Sequence, residues 1–99
     1  MKDPKIAILG GGNLGASIAE GLIKSKFITP QQLTVTRRNV EVLYPLKSLG
    51  VHTTSDNHDA VKRSDVIIVA LKPYNVKEVM EGLQPHLDPS RHIIISVAT

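Results

Sequence analysis

The sequence predicts a doubly wound α/β domain built on a parallel sheet, and three observations carry that expectation. Short apolar runs alternate strictly with stretches of helical periodicity, and a glycine-rich turn joins the first run to the first helical stretch. The 99-residue length accommodates one domain and leaves no room for two. Strands separated by helical segments pair side by side through right-handed crossovers, which gives a parallel sheet with helices on both faces.

Each element follows from its own residues. Lys5 to Gly10 is a strand whose apolar run, Ile6, Ala7, Ile8 and Leu9, suits burial on both faces. From Asn13 to about Lys24, Leu14, Ile18 and Leu22 recur every fourth residue with Ala19 and Ile23 beside them, a single helical stripe. Thr29, Pro30 and Gln32 read as a capped turn, and Leu33 to Thr36 is the second strand. Asn39 is placed to cap a second helix ending at Leu49, with Gly50 as its left-handed terminator. Pro45 lacks an amide hydrogen, so that helix either starts near Pro45 or kinks there. Val51 to Thr54 is a weak third strand, Asn57 to Ser64 a short helix, and Asp65 to Leu71 a fourth strand rich in β-branched residues. Asn75, with Glu78 three residues on, opens a last helix with the stripe Val76, Val79, Met80 and Leu83; His92 to Val97 is the fifth strand.

Composition narrows the function. With 41% hydrophobic and 21% charged residues the chain has the makings of a folded core and is not a disordered tail. It has no cysteine, which excludes a disulfide scaffold, a thiolate metal site and a cysteine nucleophile, and favours a cytoplasmic setting. The longest apolar run, Val66 to Leu71, falls far short of the roughly 20 residues that span a bilayer, and Asp3 and Pro4 interrupt any signal-peptide pattern, so no membrane role is expected. The net charge of +3 is concentrated in the first half of the chain. Nucleic-acid surfaces combine such charge with stacking aromatics, and here only Phe27, Tyr44 and Tyr74 are available; an anionic small molecule is the expected ligand and nucleic acid is not. His52, His58, His86 and His92 form no cluster at metal-ligand spacing and read as surface or rim residues, so no metal is expected. No serine sits in a nucleophile elbow and no carboxylate pair has an evident partner, so no catalytic residue is assigned.

The turn after the first strand carries the chemistry. Gly10-Gly11-Gly12-Asn13-Leu14-Gly15 satisfies the dinucleotide fingerprint of a Rossmann-type fold: Gly10 makes the tight turn, Gly12 lets a pyrophosphate approach, and Gly15 lets helix pack on strand. Free amides and the helix dipole at Asn13 to Gly15 suit phosphate. An NAD site normally places an acid about 20 residues beyond the fingerprint, whereas this chain has Thr36-Arg37-Arg38-Asn39 at the end of the second strand. A guanidinium matches phosphate oxygens bidentately, so Arg37 is the first choice and Arg38 the second for a 2′-phosphate, and NADPH is preferred to NADH. Asn57 and Lys72-Pro73 lie at carboxyl ends of strands, the rim where such sheets bind ligands.

These residues resemble a family. The glycine motif running on through Ala16-Ser17-Ile18-Ala19-Glu20-Gly21-Leu22, with Gly50-Val51, Asn57-His58-Asp59-Ala60-Val61, Ser64-Asp65-Val66, Ala70-Leu71-Lys72-Pro73 and Ser96-Val97-Ala98, is similar to pyrroline-5-carboxylate reductase, an NAD(P)H enzyme that forms proline. The resemblance spans essentially the whole chain and, with the alternating pattern, implies five strands in the order 3-2-1-4-5. It implies cofactor contacts by the glycine loop (Gly10, Gly11, Gly12, Asn13, Leu14, Gly15), by Arg37, Asn57, Ala70, Leu71, Lys72 and Pro73, and by Val97 and Ala98 near the nicotinamide. The chain departs from the family at Ser96-Val97-Ala98-Thr99, where members continue Ser-x-Ala-Ala-Gly. Members also add a helical domain that supplies the dimer interface and most of the substrate pocket.

Residues 1–99 are therefore expected to be the cofactor-binding domain, with that C-terminal domain absent. A small imine substrate is expected to act only when a second domain is supplied, and the isolated chain is expected to be inactive. A patch left near the fifth strand is available for self-association. A non-enzymatic nucleotide-binding module shares this fold, as does the first domain of an imine, β-hydroxyacid or deazaflavin-dependent NADP reductase.

Overall fold

The first strand, β1 (Ile6–Leu9), is buried along its whole length because it lies in the middle of the sheet. A computed structural model describes residues 3–97. Its five strands are all parallel and run in the order β3-β2-β1-β4-β5, as the resemblance implies. The others are β2 (Leu33–Thr36), β3 (His52–Thr54), β4 (Val66–Val69) and β5 (Ile93–Ser96). Ile6 is in register with Leu33 on one side and Val66 on the other, so alternate β1 residues feed two separate cores. Ile6 and Ile8 join Leu33, Val35 and Ile68 on one face, while Ala7 and Leu9 join Ile67 and Val69 on the other.

Helices cover both faces. The helix α1 (Asn13–Lys24) has the expected bounds and packs Ala19, Ile18, Leu22 and Ile23 onto the first core. Leu14, expected in the same stripe, is instead 46% exposed, because at the start of α1 it stands beyond the carboxyl ends of the strands. Gln32 Oε1 accepts from Thr29 N at 2.9 Å, as expected of the capped turn, and its Nε2 donates to Pro4 O at 2.9 Å, tying that turn to the approach to β1.

The second helix starts beside Pro45, the first of the two expected alternatives, but it lacks the expected Asn39 cap and ends before Leu49. A 3₁₀ turn over Val40–Leu43 precedes a single turn of helix, α2 (Tyr44–Lys47), and Asn39 makes no side-chain cap. Pro45 causes this: it fits the first turn of a helix, where no amide hydrogen is required, and not the middle of a longer one. The chain leaves α2 as expected through Gly50, at φ +108°, with Gly50 N bonded to Lys47 O and Val51 N to Leu46 O.

On the opposite face lie α3 (Asn57–Arg63) and α4 (Pro73–Leu83). The last helix starts at Pro73, two residues before the expected Asn75. Proline forces Lys72 into an extended conformation and is itself preorganised for the first helical position. Among the described residues the edge strand β5 pairs only with β4, and Ile93, Ile94 and Ile95 are 51%, 43% and 45% exposed.

Asp65 fastens the amino-terminal end of the sheet. Its carboxylate accepts from Lys5 N at 3.1 Å and Arg91 Nε at 3.2 Å. The Lys5 amide first, and the Arg91 guanidinium after it, hold this carboxyl below its ordinary value of 3.8. No helix among the described residues is long and apolar enough to cross a membrane.

Candidate functional site

The glycine loop is pinned across the carboxyl end of the sheet. Gly10 N and Gly11 N both donate to Thr36 O, at 3.2 and 2.6 Å, so the turn after β1 is held against the end of β2. Gly10 has φ +98°, and a Cβ there would come within 2.9 Å of the Ala70 carbonyl oxygen. A Cβ at Gly11 would press on Leu43, and one at Gly15 would fall on the Gly10 carbonyl oxygen, which is how α1 packs so closely on β1. Gly12 is different. Its φ of −74° suits any residue, and a Cβ there would meet nothing within 4 Å. The protein's own packing explains the glycines at 10, 11 and 15, whereas at 12 the space beside the backbone is open. Ala16 N bonds Gly12 O at 2.8 Å, so the amides just before it open α1 without intrahelical acceptors.

Beside the loop stand the residues that end β2 and begin α3. Arg37 is half-buried and donates from Nη1 to Gly11 O at 3.0 Å, while Arg38 is exposed. Thr36, only 2% exposed, accepts at Oγ1 from Gly10 N at 3.2 Å and donates to Asn57 Oδ1 at 2.6 Å. The cap of α3 is Asp56, whose carboxylate accepts from His58 N at 2.9 Å, so the Asn57 side chain is not spent on its own helix.

A cleft of about 720 Å³ runs over these groups, with Gly10, Gly11 and Gly12 on its floor and Arg37, Arg38 and Asn57 on one side. The turn between β4 and α4 forms the other side with Ala70, Leu71 and Lys72. Pro73 is not in the wall; it starts the helix that carries Tyr74, Asn75, Glu78 and Val79 into it. Asn13, Leu14 and Gly15 lie at the head of α1 next to the cleft floor without lining it, and Val97 is held outside it by Val97 N to Val69 O, 3.0 Å. Ala98 falls outside the described residues.

Sequence reasoning missed Thr36, Ser55, Tyr74, Asn75, Glu78 and Val79 as cleft residues. Thr36 carried a usable signal, since it directly precedes Arg37 at the strand end where ligand-facing residues gather. A second depression of about 590 Å³ between α3 and the α4–β5 connection holds His58, His86 and His92. Among the described residues no histidine and carboxylate group is arranged to hold a metal ion.

The family model described as "NADP oxidoreductase coenzyme F420-dependent" matches residues 5–99. The chain is 40% identical over 99 residues to pyrroline-5-carboxylate reductase 1 of Dictyostelium discoideum, covering 100% of this chain and 18% of that protein. It is 42% identical over 93 residues to pyrroline-5-carboxylate reductase 2 of the same organism, covering 93% of this chain and 31% of that one. Among solved structures, a pyrroline-5-carboxylate reductase from Coxiella burnetii superposes with a TM-score of 0.91 at 35% identity, covering 99% of this chain and 36% of that chain. A variant of the imine reductase from Myxococcus stipitatus, solved with NAD+, gives a TM-score of 0.77 at 25% identity, covering 97% and 32%. The chain thus spans well under two thirds of the relatives it matches.

Proposed function

We propose that this chain, which belongs to the family of coenzyme F420-dependent NADP oxidoreductases, is the cofactor-binding part of a reductase that converts pyrroline-5-carboxylate to proline with NADPH. The observation that carries the reading is the open space beside Gly12, at the amino-terminal end of a 12-residue helix and next to a tethered guanidinium. A glycine that the fold does not need for itself is what a pyrophosphate lying against the backbone requires.

In this reading the amides of Asn13, Leu14 and Gly15, with the dipole of α1, hold the phosphates. Arg37 meets the 2′-phosphate, with Arg38 beside it, and the nearest acid after β2 is Glu41. Asn57 donates to the dinucleotide from the β3 side. Ala70, Leu71 and Lys72 wall the cleft toward the nicotinamide, Pro73 fixes the turn that presents them, and Val97 stands at the end of β5. Bound there, a reduced nicotinamide supplies hydride to the C=N carbon of the imine. The substrate assignment is supported by the names of the relatives at 40% and 42% identity. A second reading, reduction of a different cyclic imine, is favoured by the likeness to the Myxococcus enzyme. The lack of cysteine supports a reducing, cytoplasmic setting.

Because the relatives are much longer, we assign substrate capture and turnover to chain beyond these 99 residues. Calorimetric titration of the 99-residue protein with NADPH and NADH tests the cofactor, and NADPH is expected to bind more tightly. Heat from neither would overturn the cofactor assignment. The complete reading frame supplied with NADPH and pyrroline-5-carboxylate is expected to form proline, and reduction of other cyclic imines without proline formation would favour the second reading.

A further inference from the structure

We propose that Thr36 is a positioning residue: its hydroxyl turns the Asn57 carboxamide so that the Nδ2 hydrogens, and not the oxygen, face the dinucleotide. This deepens the cofactor reading above and rests on it. Thr36 is buried at the end of β2, and its Oγ1 accepts from Gly10 N at 3.2 Å. The hydroxyl proton then needs an acceptor of its own, and Asn57 Oδ1 takes it at 2.6 Å. Reversing the amide would take away the acceptor Asn57 Oδ1 and leave the buried hydroxyl proton unpaired. The protein's interior therefore fixes which end of Asn57 faces the cleft.

The exposed end is a donor, and the helix makes no competing demand on it because Asp56 caps α3 through His58 N. Ribose oxygens, phosphate oxygens and purine ring nitrogens are acceptors, so an NH₂ group is the complement a dinucleotide requires. The relay Gly10 N–H to Thr36 Oγ1–H to Asn57 Oδ1 also couples the loop that receives the phosphates to the side chain that reads the neighbouring part of the ligand.

The test is NADPH titration of wild type, Thr36→Val, Thr36→Ser, Asn57→Ala and the Thr36→Val/Asn57→Ala double variant, each first checked by thermal melting. Thr36→Val is expected to weaken binding about fivefold, the effect of one neutral hydrogen bond, and Thr36→Ser to restore it. If Thr36 acts through Asn57, the double variant binds no more weakly than Asn57→Ala alone. Losses that multiply in the double variant, or unchanged binding by Thr36→Val, would overturn the proposal while leaving the cofactor reading intact. Wild type that binds no NADPH removes both. Should Thr36→Val fail to fold, the Asn57 side-chain NH₂ resonances of wild type decide: they shift when NADPH is added, and unmoved resonances overturn the proposal.

Discussion

Arg37 Nη1 donates to the carbonyl oxygen of Gly11 across 3.0 Å, so the guanidinium at the end of β2 is tethered to the loop after β1. A long side chain that is already fixed loses little freedom when it meets an anion, and its remaining N–H groups keep their fork geometry. Replacing Arg37 by alanine is expected to cost NADPH roughly ten- to a hundredfold in affinity and to leave NADH nearly unchanged. Calorimetry with both cofactors checks this. Equal losses would mean that Arg37 contacts the adenine or pyrophosphate, and no loss for either would mean a solvated arginine.

Two glycines in one loop should respond oppositely to alanine. At Gly15 the added methyl falls on the Gly10 carbonyl oxygen, and the overpacked variant is expected to lose about 1 to 3 kcal/mol of stability. At Gly12 the methyl enters open space, so folding is expected to change by at most about 1 kcal/mol, the scale of a helix-cap substitution, while NADPH binding collapses. Chemical denaturation alongside titration separates the two. Intact cofactor affinity in Gly12→Ala would show that nothing approaches the backbone there.

Acid should loosen the amino-terminal end of the sheet. The Asp65 carboxyl is held below its ordinary value of 3.8 in the folded protein by the Lys5 amide and Arg91. A carboxyl depressed on folding contributes stability above its unfolded value and loses that contribution as pH falls through the folded one. Asp65→Asn is therefore expected to melt several degrees lower than wild type at pH 7, with the gap closing as pH falls below the ordinary carboxyl value of 3.8. A gap that stayed constant across the titration would assign the loss to packing.

The edge strand β5 offers unpaired backbone groups flanked by three half-exposed isoleucines, with no charge or proline inside the strand to discourage pairing. The 99-residue protein is expected to associate as its concentration rises, and Ile95→Lys to hold it monomeric in light scattering. A wild type that stays monomeric at high concentration would refute this.

Sequence patterning reached furthest where one strong signal acted alone. The limits of α1 follow from an uninterrupted four-residue repeat, and the glycine loop from its own spacing. Where two signals competed, the local covalent constraint won: Pro45 cut the second helix to one turn, and Pro73 started the last helix ahead of the Asn75 and Glu78 pair. The Thr36 to Asn57 bond was not legible because it joins residues 21 positions apart through a register that only the assembled sheet defines. The exposure of β5 was legible from the strand order, which leaves the fifth strand at an edge, and its half-exposed isoleucines lie where an apolar patch is expected.

Placing the first strand at the centre of the sheet has a kinetic consequence. Lys5 and Asp65, which meet beside the start of β1, are 60 positions apart, so one flank of the central strand stays open until Asp65 and the β4 residues Val66–Val69 have emerged from the ribosome. The β1-α1-β2 unit assembles first in this order of events, and docking of β4 seals it. Refolding should accordingly be slow for a domain of this length, and a nascent chain halted before β4 should present its apolar central strand to chaperones.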